Sequence, residues 1–155
     1  MTSHQLQRAR STLAECARWL VVGRISNYEF DDAVPSSPDP TVSAIYEYFW
    51  MLYCDMREYR LTGPDELSPL ERDKAVRCIL FLKSGLPYSW PVLSRAQSAL
   101  LTLLNLLTLG AAGRIYSRRV SVAGDVVYWP FISESQYAQA LQAPAYLAGG
   151  AKLTQ

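Results

Sequence analysis

A mainly α-helical single domain of five to six helices, closed by a small C-terminal β-hairpin, is the fold class this sequence predicts. Three observations lead there. Apolar residues recur at three- and four-residue steps through most of the chain, capping patterns precede several of those runs, and one stretch near the C-terminus switches to β-branched pairs around Ala-Gly-Asp. The chain has 155 residues, 50% hydrophobic, 12% aromatic and 19% charged. A domain of that size hides roughly 70% of the surface its unfolded form exposes, and this composition is that of an ordered globular protein.

The first helix is expected over 3–22, with Leu6, Ala9, Leu13, Cys16, Ala17 and Leu20 on one face, Arg8, Glu15 and Arg18 facing water, and a left-handed stop at Gly23. Ser26 and Glu29 have capping-box spacing, so 27–34 reads as a short helix anchored by Tyr28 and Phe30. Three prolines between 35 and 40 then force a loop. From Asp39 and Pro40, an N-cap and a first-position proline, 39–61 reads as one long helix. Its buried face holds Val42, Ile45, Tyr46, Phe49, Leu52, Tyr53 and Met56, widened by Trp50 and Cys54. Trp50 is therefore expected inside, where truncation to alanine costs about 3–5 kcal/mol.

Ser68, Pro69 and Glu71 start the next helix, which buries Ala75, Val76, Cys78, Ile79, Phe81 and Leu82, ends at Gly85 and pairs antiparallel with its predecessor. The stretch 86–93 is extended because residues before proline avoid the helical region, and Trp90 and Trp129 read as clasps pinning loops to the core. Ser94 and Gln97 repeat the capping spacing ahead of a leucine-rich helix that closes at Gly110 and carries Thr102, Asn105 and Thr108 on one narrow polar strip. Over 114–131, Val120 and Val122, then Val126 and Val127, flank the turn that predicts the hairpin. Ser133 and Gln136 open a last short helix ended by Pro144, so 1–147 forms the domain and 148–155 a flexible tail.

The leucine-rich helix poses the largest functional question. Its apolar run of about 14 residues is roughly 21 Å long against a hydrocarbon core of about 30 Å, so no membrane span is expected. Left in water, its seven leucines would forfeit roughly 10–20 kcal/mol of burial. The first expectation is that it forms the centre of the core; the second is an interface with a homodimer partner or another protein, and the third a helix lying on a membrane surface.

Net charge is +1, which makes no global case for nucleic acid or an acidic membrane. Its distribution is uneven: residues 1–80 hold nine basic and twelve acidic residues, residues 81–155 six and two. Cys16, Cys54 and Cys78 are odd in number and far apart in apolar surroundings, as small buried hydrophobes of a reducing compartment are. The N-terminus shows no signal-peptide pattern, and the cytoplasm is expected. His4 is the single histidine and lies near the terminus, so no Ser-His-Asp or Cys-His set is expected. The cysteine spacing suits no zinc site, and no metal or cofactor is implied. The glycines at 110 and 113 follow a helix, the reverse of a phosphate loop. Arg114, Arg118 and Arg119 around Tyr116 make nucleic acid only a minor reading beside a solvated edge-strand guard.

Paired carboxylates at Asp31/Asp32, Asp55/Glu58 and Asp65/Glu66 read first as exposed charge. The functional expectation is a non-enzymatic protein-binding module of the inhibitor or immunity type, in which Glu29, Asp31, Asp32, Asp55 and Glu58 offer an acidic face to a basic protein partner. The alternative is a small enzyme or ligand binder with an aromatic pocket between helix 39–61 and the Trp-Pro segments, lined by Tyr53, Trp90 and converging carboxylates.

Four blocks, ARWLVVGRISNYEFDD, DPTVSAIYEYFWMLYCDMREYRL, RCILFLKSGLPYSWP and GDVVYWPF, together resemble a family of small uncharacterised bacterial proteins. The resemblance implies a bacterial origin and brings no activity, ligand or site residue with it.

Overall fold

In the computed structural model, which describes residues 3–91 and 95–142, helix ends fall where side chains satisfy free backbone groups. The first helix, α1 (Ser3–Val21), is followed by Gly23 at φ +66°, where a Cβ would lie 2.2 Å from Thr62 Cγ2. Both the left-handed backbone and the close approach require glycine there. α2 (Asn27–Ala33) opens on the expected capping box, Ser26 Oγ accepting from the Glu29 N–H and the Glu29 carboxylate accepting from the Ser26 N–H. Asp39 caps α3 (Pro40–Trp50), and the Ser68–Glu71 box starts α4 (Pro69–Ser84), which ends at Gly85. α5 (Arg95–Leu107), α6 (Ala111–Ala123) and α7 (Glu134–Gln142) complete seven α-helices among the described residues. Ser133 Oγ accepts from the Gln136 N–H at the start of α7, as expected, while the Gln136 side chain reaches Ile132.

α1 is the central element, packing on α2, α3 and most extensively on α4. The expected α3–α4 pair forms, but as a smaller contact. Leu13, Ala17 and Leu20 share one core with Phe30, Ile45, Phe49, Cys78, Phe81, Leu82 and Phe131, all essentially inaccessible. Edge-to-face rings knit this core, Phe81 and Phe131 with centroids 5.0 Å apart and Phe30 and Tyr53 6.2 Å apart. Burial pushes the Cys16 and Cys78 thiols up from their ordinary value, as for inert core cysteines.

One polar fastener sits at the edge of this core. Arg10 of α1 donates from Nε to Asp39 Oδ2 at 2.6 Å, from Nη2 to Asp39 Oδ1 at 3.1 Å and to Thr41 Oγ1 at 2.6 Å, and from Nη1 to the Leu86 carbonyl at 2.6 Å. Three separate segments thereby meet on one guanidinium. The two Trp-Pro segments also interlock: the Trp90 indole donates to the Pro130 carbonyl at 2.9 Å and the Trp129 indole to Tyr88 Oη at 3.1 Å. This is the clasp role the sequence predicts.

The long helix over 39–61 is not formed; α3 stops at Trp50. Asn27, wholly buried at the start of α2, explains why. Its Nδ2 donates to the Cys54 and Arg57 carbonyls at 3.0 and 2.9 Å, its Oδ1 accepts from the Tyr59 N–H at 2.9 Å, and its own N–H donates to the Tyr59 carbonyl. Backbone groups that a continuous helix would pair internally are held by a side chain from elsewhere, so 51–61 wraps α2 instead. Tyr53 and Leu61 remain buried, but Trp50 is 48% exposed, Met56 85% exposed and Cys54 exposed, against the expectation that they lie inside. Tyr28 and Val76 likewise face water.

The β-hairpin over 114–131 is also overturned. Residues 111–123 are helical, and Val126–Tyr128 is a short 3-10 turn. Ala-Gly-Asp acts as a helix stop: Asp125 Oδ1 accepts from the Val127 N–H at 2.9 Å and the Asp125 N–H donates to the Ile132 carbonyl at 2.9 Å, which turns the chain back. Two short valine pairs have no neighbouring strand to pair with among the described residues, and helix wins. Ser94, Pro144 and the tail 148–155 lie outside the described residues.

Two outcomes follow from the fasteners. Asn27→Ala strands three backbone groups and lowers unfolding free energy by about 3 kcal/mol, whereas Trp50→Ala, at a half-exposed position, lowers it by about 1 kcal/mol; urea denaturation of both variants checks the order. Burial pushes the Asp39 carboxyl up, but hydrogen bonds from Arg10 and Thr41 and the Arg10 charge outweigh it, leaving the group below its ordinary value. A depressed folded-state pKa stabilises above the unfolded value of about 4 and is lost as pH falls through the lower folded value. Melting temperature should therefore drop with acidification below about pH 4, and Asp39→Asn should flatten that part of the profile.

Candidate docking surface

The leucine-rich helix is not the centre of the core. α5 and α6 pack chiefly on each other as a helical hairpin, tethered to the body by Tyr116 Oη donating to the Pro91 carbonyl at 3.4 Å. The polar strip explains the orientation. α6 starts at Gly110 (φ +89°) with no side-chain cap of its own, and α5 supplies what is missing. Asn105 Oδ1 accepts from the Gly113 N–H at 2.9 Å and Thr108 Oγ1 from the Ala112 N–H at 3.1 Å. A Cβ on Gly113 would lie 2.8 Å from Asn105 Oδ1, so the helices meet closely at that point. These bonds hold the end of α5 against the first turn of α6, with Leu100, Leu101 and Leu104 on the cleft between the helices and Leu103, Leu106 and Leu107 facing outward.

Leu100, Leu103, Leu104, Leu106, Leu107 and Leu109 are between 41% and 89% exposed, together nearly as much surface as four fully exposed leucines. At about 1.5–3 kcal/mol each, that is roughly 6–12 kcal/mol of unrealised burial, comparable with the net stability of a domain. α6 adds Ile115 at 58% and Val122 at 88%. Between the helices lies an open cleft of about 340 Å³ lined by Leu100, Leu101, Leu104, Ile115, Tyr116 and Arg119 among others. So much exposed apolar surface is unusual on the outside of a folded domain. No Asp or Glu occurs in 95–124, while Arg95, Arg114, Arg118 and Arg119 do.

The acidic residues singled out from the sequence do gather around α2 and the 51–61 segment, but most are engaged internally. Asp31 Oδ1 accepts from Tyr53 Oη at 2.5 Å and Tyr46 Oη at 3.1 Å. Burial, then the hydrogen bond to Asp31 and its charge, push both phenols up, so they stay protonated donors. Glu29 serves the α2 cap and lies 3.6 Å from Arg60, and Glu58 accepts from Ser26 Oγ at 2.6 Å. Asp32 and Asp55 are exposed, the Asp55 carbonyl accepting from Tyr28 Oη.

A second cavity of about 340 Å³ lies between α3, α4 and the Trp129 segment, where an aromatic pocket was the alternative expectation. Its lining includes Tyr48, Tyr88, Trp129, Lys74 and Glu47, and not Tyr53 or Trp90. Lys74 Nζ sits 4.6 Å from the Tyr48 ring centre and 5.0 Å from that of Trp129, so a cation of the chain itself already covers the aromatic wall. Among the described residues no group of three metal-ligating side chains converges and no helix is long and apolar enough to cross a membrane.

Compared with models of protein families, with curated proteins and with solved structures, the chain matched none.

Asn105→Ala removes the cap that α5 lends to α6. It should speed amide hydrogen exchange at Ala112 and Gly113 and cost about 1 kcal/mol of hairpin stability, with exchange in α1 and α4 unchanged; exchange measured residue by residue by NMR reads both.

Proposed function

We propose that the protein works by contact rather than by catalysis, as a binding module whose docking arm is the α5–α6 hairpin. The observation that carries this is the row of outward leucines, which leaves about 6–12 kcal/mol of burial to be gained from an occupant. Of the paired acids that a catalytic reading would use, Asp31 lies between two tyrosines and Glu58 accepts from Ser26 at the start of α2. This reading puts the main docking surface on the hairpin, with the exposed carboxylates of Glu29, Asp32, Asp55 and Glu58 as a secondary feature. An inhibitor or immunity-type association with another protein is one form of this reading; the chemistry of the hairpin selects among forms below.

Fractionation of an extract from the native host tests the reading. The wild-type chain should migrate with a larger complex or particulate fraction, and the Leu103→Glu/Leu107→Glu variant should migrate free with its helical content and melting temperature intact. Identical migration of both as free chains sinks the proposal.

A further inference from the structure

We infer that the occupant of the α5–α6 hairpin is an anionic lipid surface, the leucines of α5 entering the acyl boundary and Arg114, Arg118 and Arg119 meeting headgroup phosphates. This rests on the docking reading above and names its partner. Charge is the first argument. Through 95–124 every charged residue is an arginine, so a surface that covers the leucines also meets uncancelled positive charge on α6. A second copy of this hairpin would bring the same unopposed arginines, whereas an anionic leaflet attracts each of them.

Shape is the second argument. Leu100, Leu103, Leu104, Leu106 and Leu107 span an arc of roughly 160° at 100° per residue, a broad apolar face. Exposure is greatest toward the interhelical turn, 74% at Leu106, 72% at Leu107 and 89% at Leu109. The apolar surface is thus an exposed edge and tip formed by Leu103, Leu106, Leu107 and Leu109, running beside the cleft that Leu100 and Leu104 line. A lipid interface conforms to such an edge without a groove shaped to match it, and its acyl chains can enter the cleft. Length is the third argument. Each helix has 13 residues, about 20 Å, too short to span and suited to lying in the interface, where an apolar face sinks roughly 5–10 Å. Arg119, on the cleft shared with Leu100, Leu104 and Ile115, places a guanidinium beside the apolar face, where a phosphate over an acyl chain would sit.

Vesicle flotation of the full chain tests this, with vesicles of phosphatidylcholine alone and of phosphatidylcholine mixed with phosphatidylglycerol. The wild type should float with the mixture and stay behind with phosphatidylcholine alone, and salt of about 1 M, where screening acts within about 3 Å, should release it. Arg118→Gln and Arg119→Gln should each weaken partition roughly fivefold, and Leu103→Glu/Leu107→Glu should abolish it with the circular dichroism spectrum unchanged. Absence of flotation with the mixture overturns the inference, as does equal flotation on both vesicles. A concentration-dependent dimer in light scattering, lost in the leucine variant and unaccompanied by vesicle binding, assigns the face to a second copy and overturns it too. If vesicles fail while migration in host extract still depends on Leu103 and Leu107, the docking arm stands and its partner is a protein.

Discussion

The guanidinium of Arg10 is the point on which the arrangement of the body turns. An ion pair this sheltered, with the two side chains 12% and 3% exposed, loses much hydration when it forms. It is offset only because both Asp39 oxygens, the Thr41 hydroxyl and the Leu86 carbonyl are all met at once. Asp39 does double service, since the carboxylate that pairs with Arg10 also accepts the Thr41 N–H at 2.9 Å and so starts α3. The position of α3 on α1, the geometry of its first turn and the exit path after α4 are therefore coupled. Removing Asp39 leaves a buried charge and an uncapped helix together.

A second fastener, Asn27, sets what the aromatic residues can do. By holding the Cys54 and Arg57 carbonyls and the Tyr59 backbone, it converts the second half of an otherwise helical aromatic run into a wrap over α2. Tyr53 is then delivered to Asp31, and Trp50 and Met56 to solvent. Three of the nearby carboxylates, Glu29, Asp31 and Glu58, also accept hydrogen bonds within this scaffold. The Lys74 cation lies over the Tyr48 and Trp129 rings in the wall of the aromatic cavity, which stays open beside it.

The hairpin follows a different logic. Within the body, polar groups at the periphery turn apolar ones inward; in the hairpin α6 begins without a cap of its own, and the exposed Asn105 and Thr108 at the end of α5 supply one. Committing Asn105 and Thr108 to that turn leaves Leu103, Leu106 and Leu107 on the outside, with Leu100 and Leu104 on the cleft. The same local hydrogen-bond requirement that makes the hairpin possible thus creates its apolar, acid-free surface, and the reading of this protein as a docking module rests on that surface.

Sequence alone determined where most helices begin, at Ser26, Asp39, Ser68 and Ser133, because a cap is a bond between residues two or three apart and its chemistry is legible in a short window. It also determined the core faces of α1 and much of α4, whose periodic apolar stripes have one way to be buried. The end of α3 was not legible, since Asn27 acts on it across about thirty residues. Nor were the strand-like valines of 120–127, whose conformation depends on whether a neighbouring strand exists. The bonds of Asp31 were not legible for the same reason, its tyrosine partners lying 15 and 22 residues away. Only the tertiary structure decided which side of the leucine helix faces water, because periodicity measures how apolar a face is, and its direction depends on what the opposite face must bond.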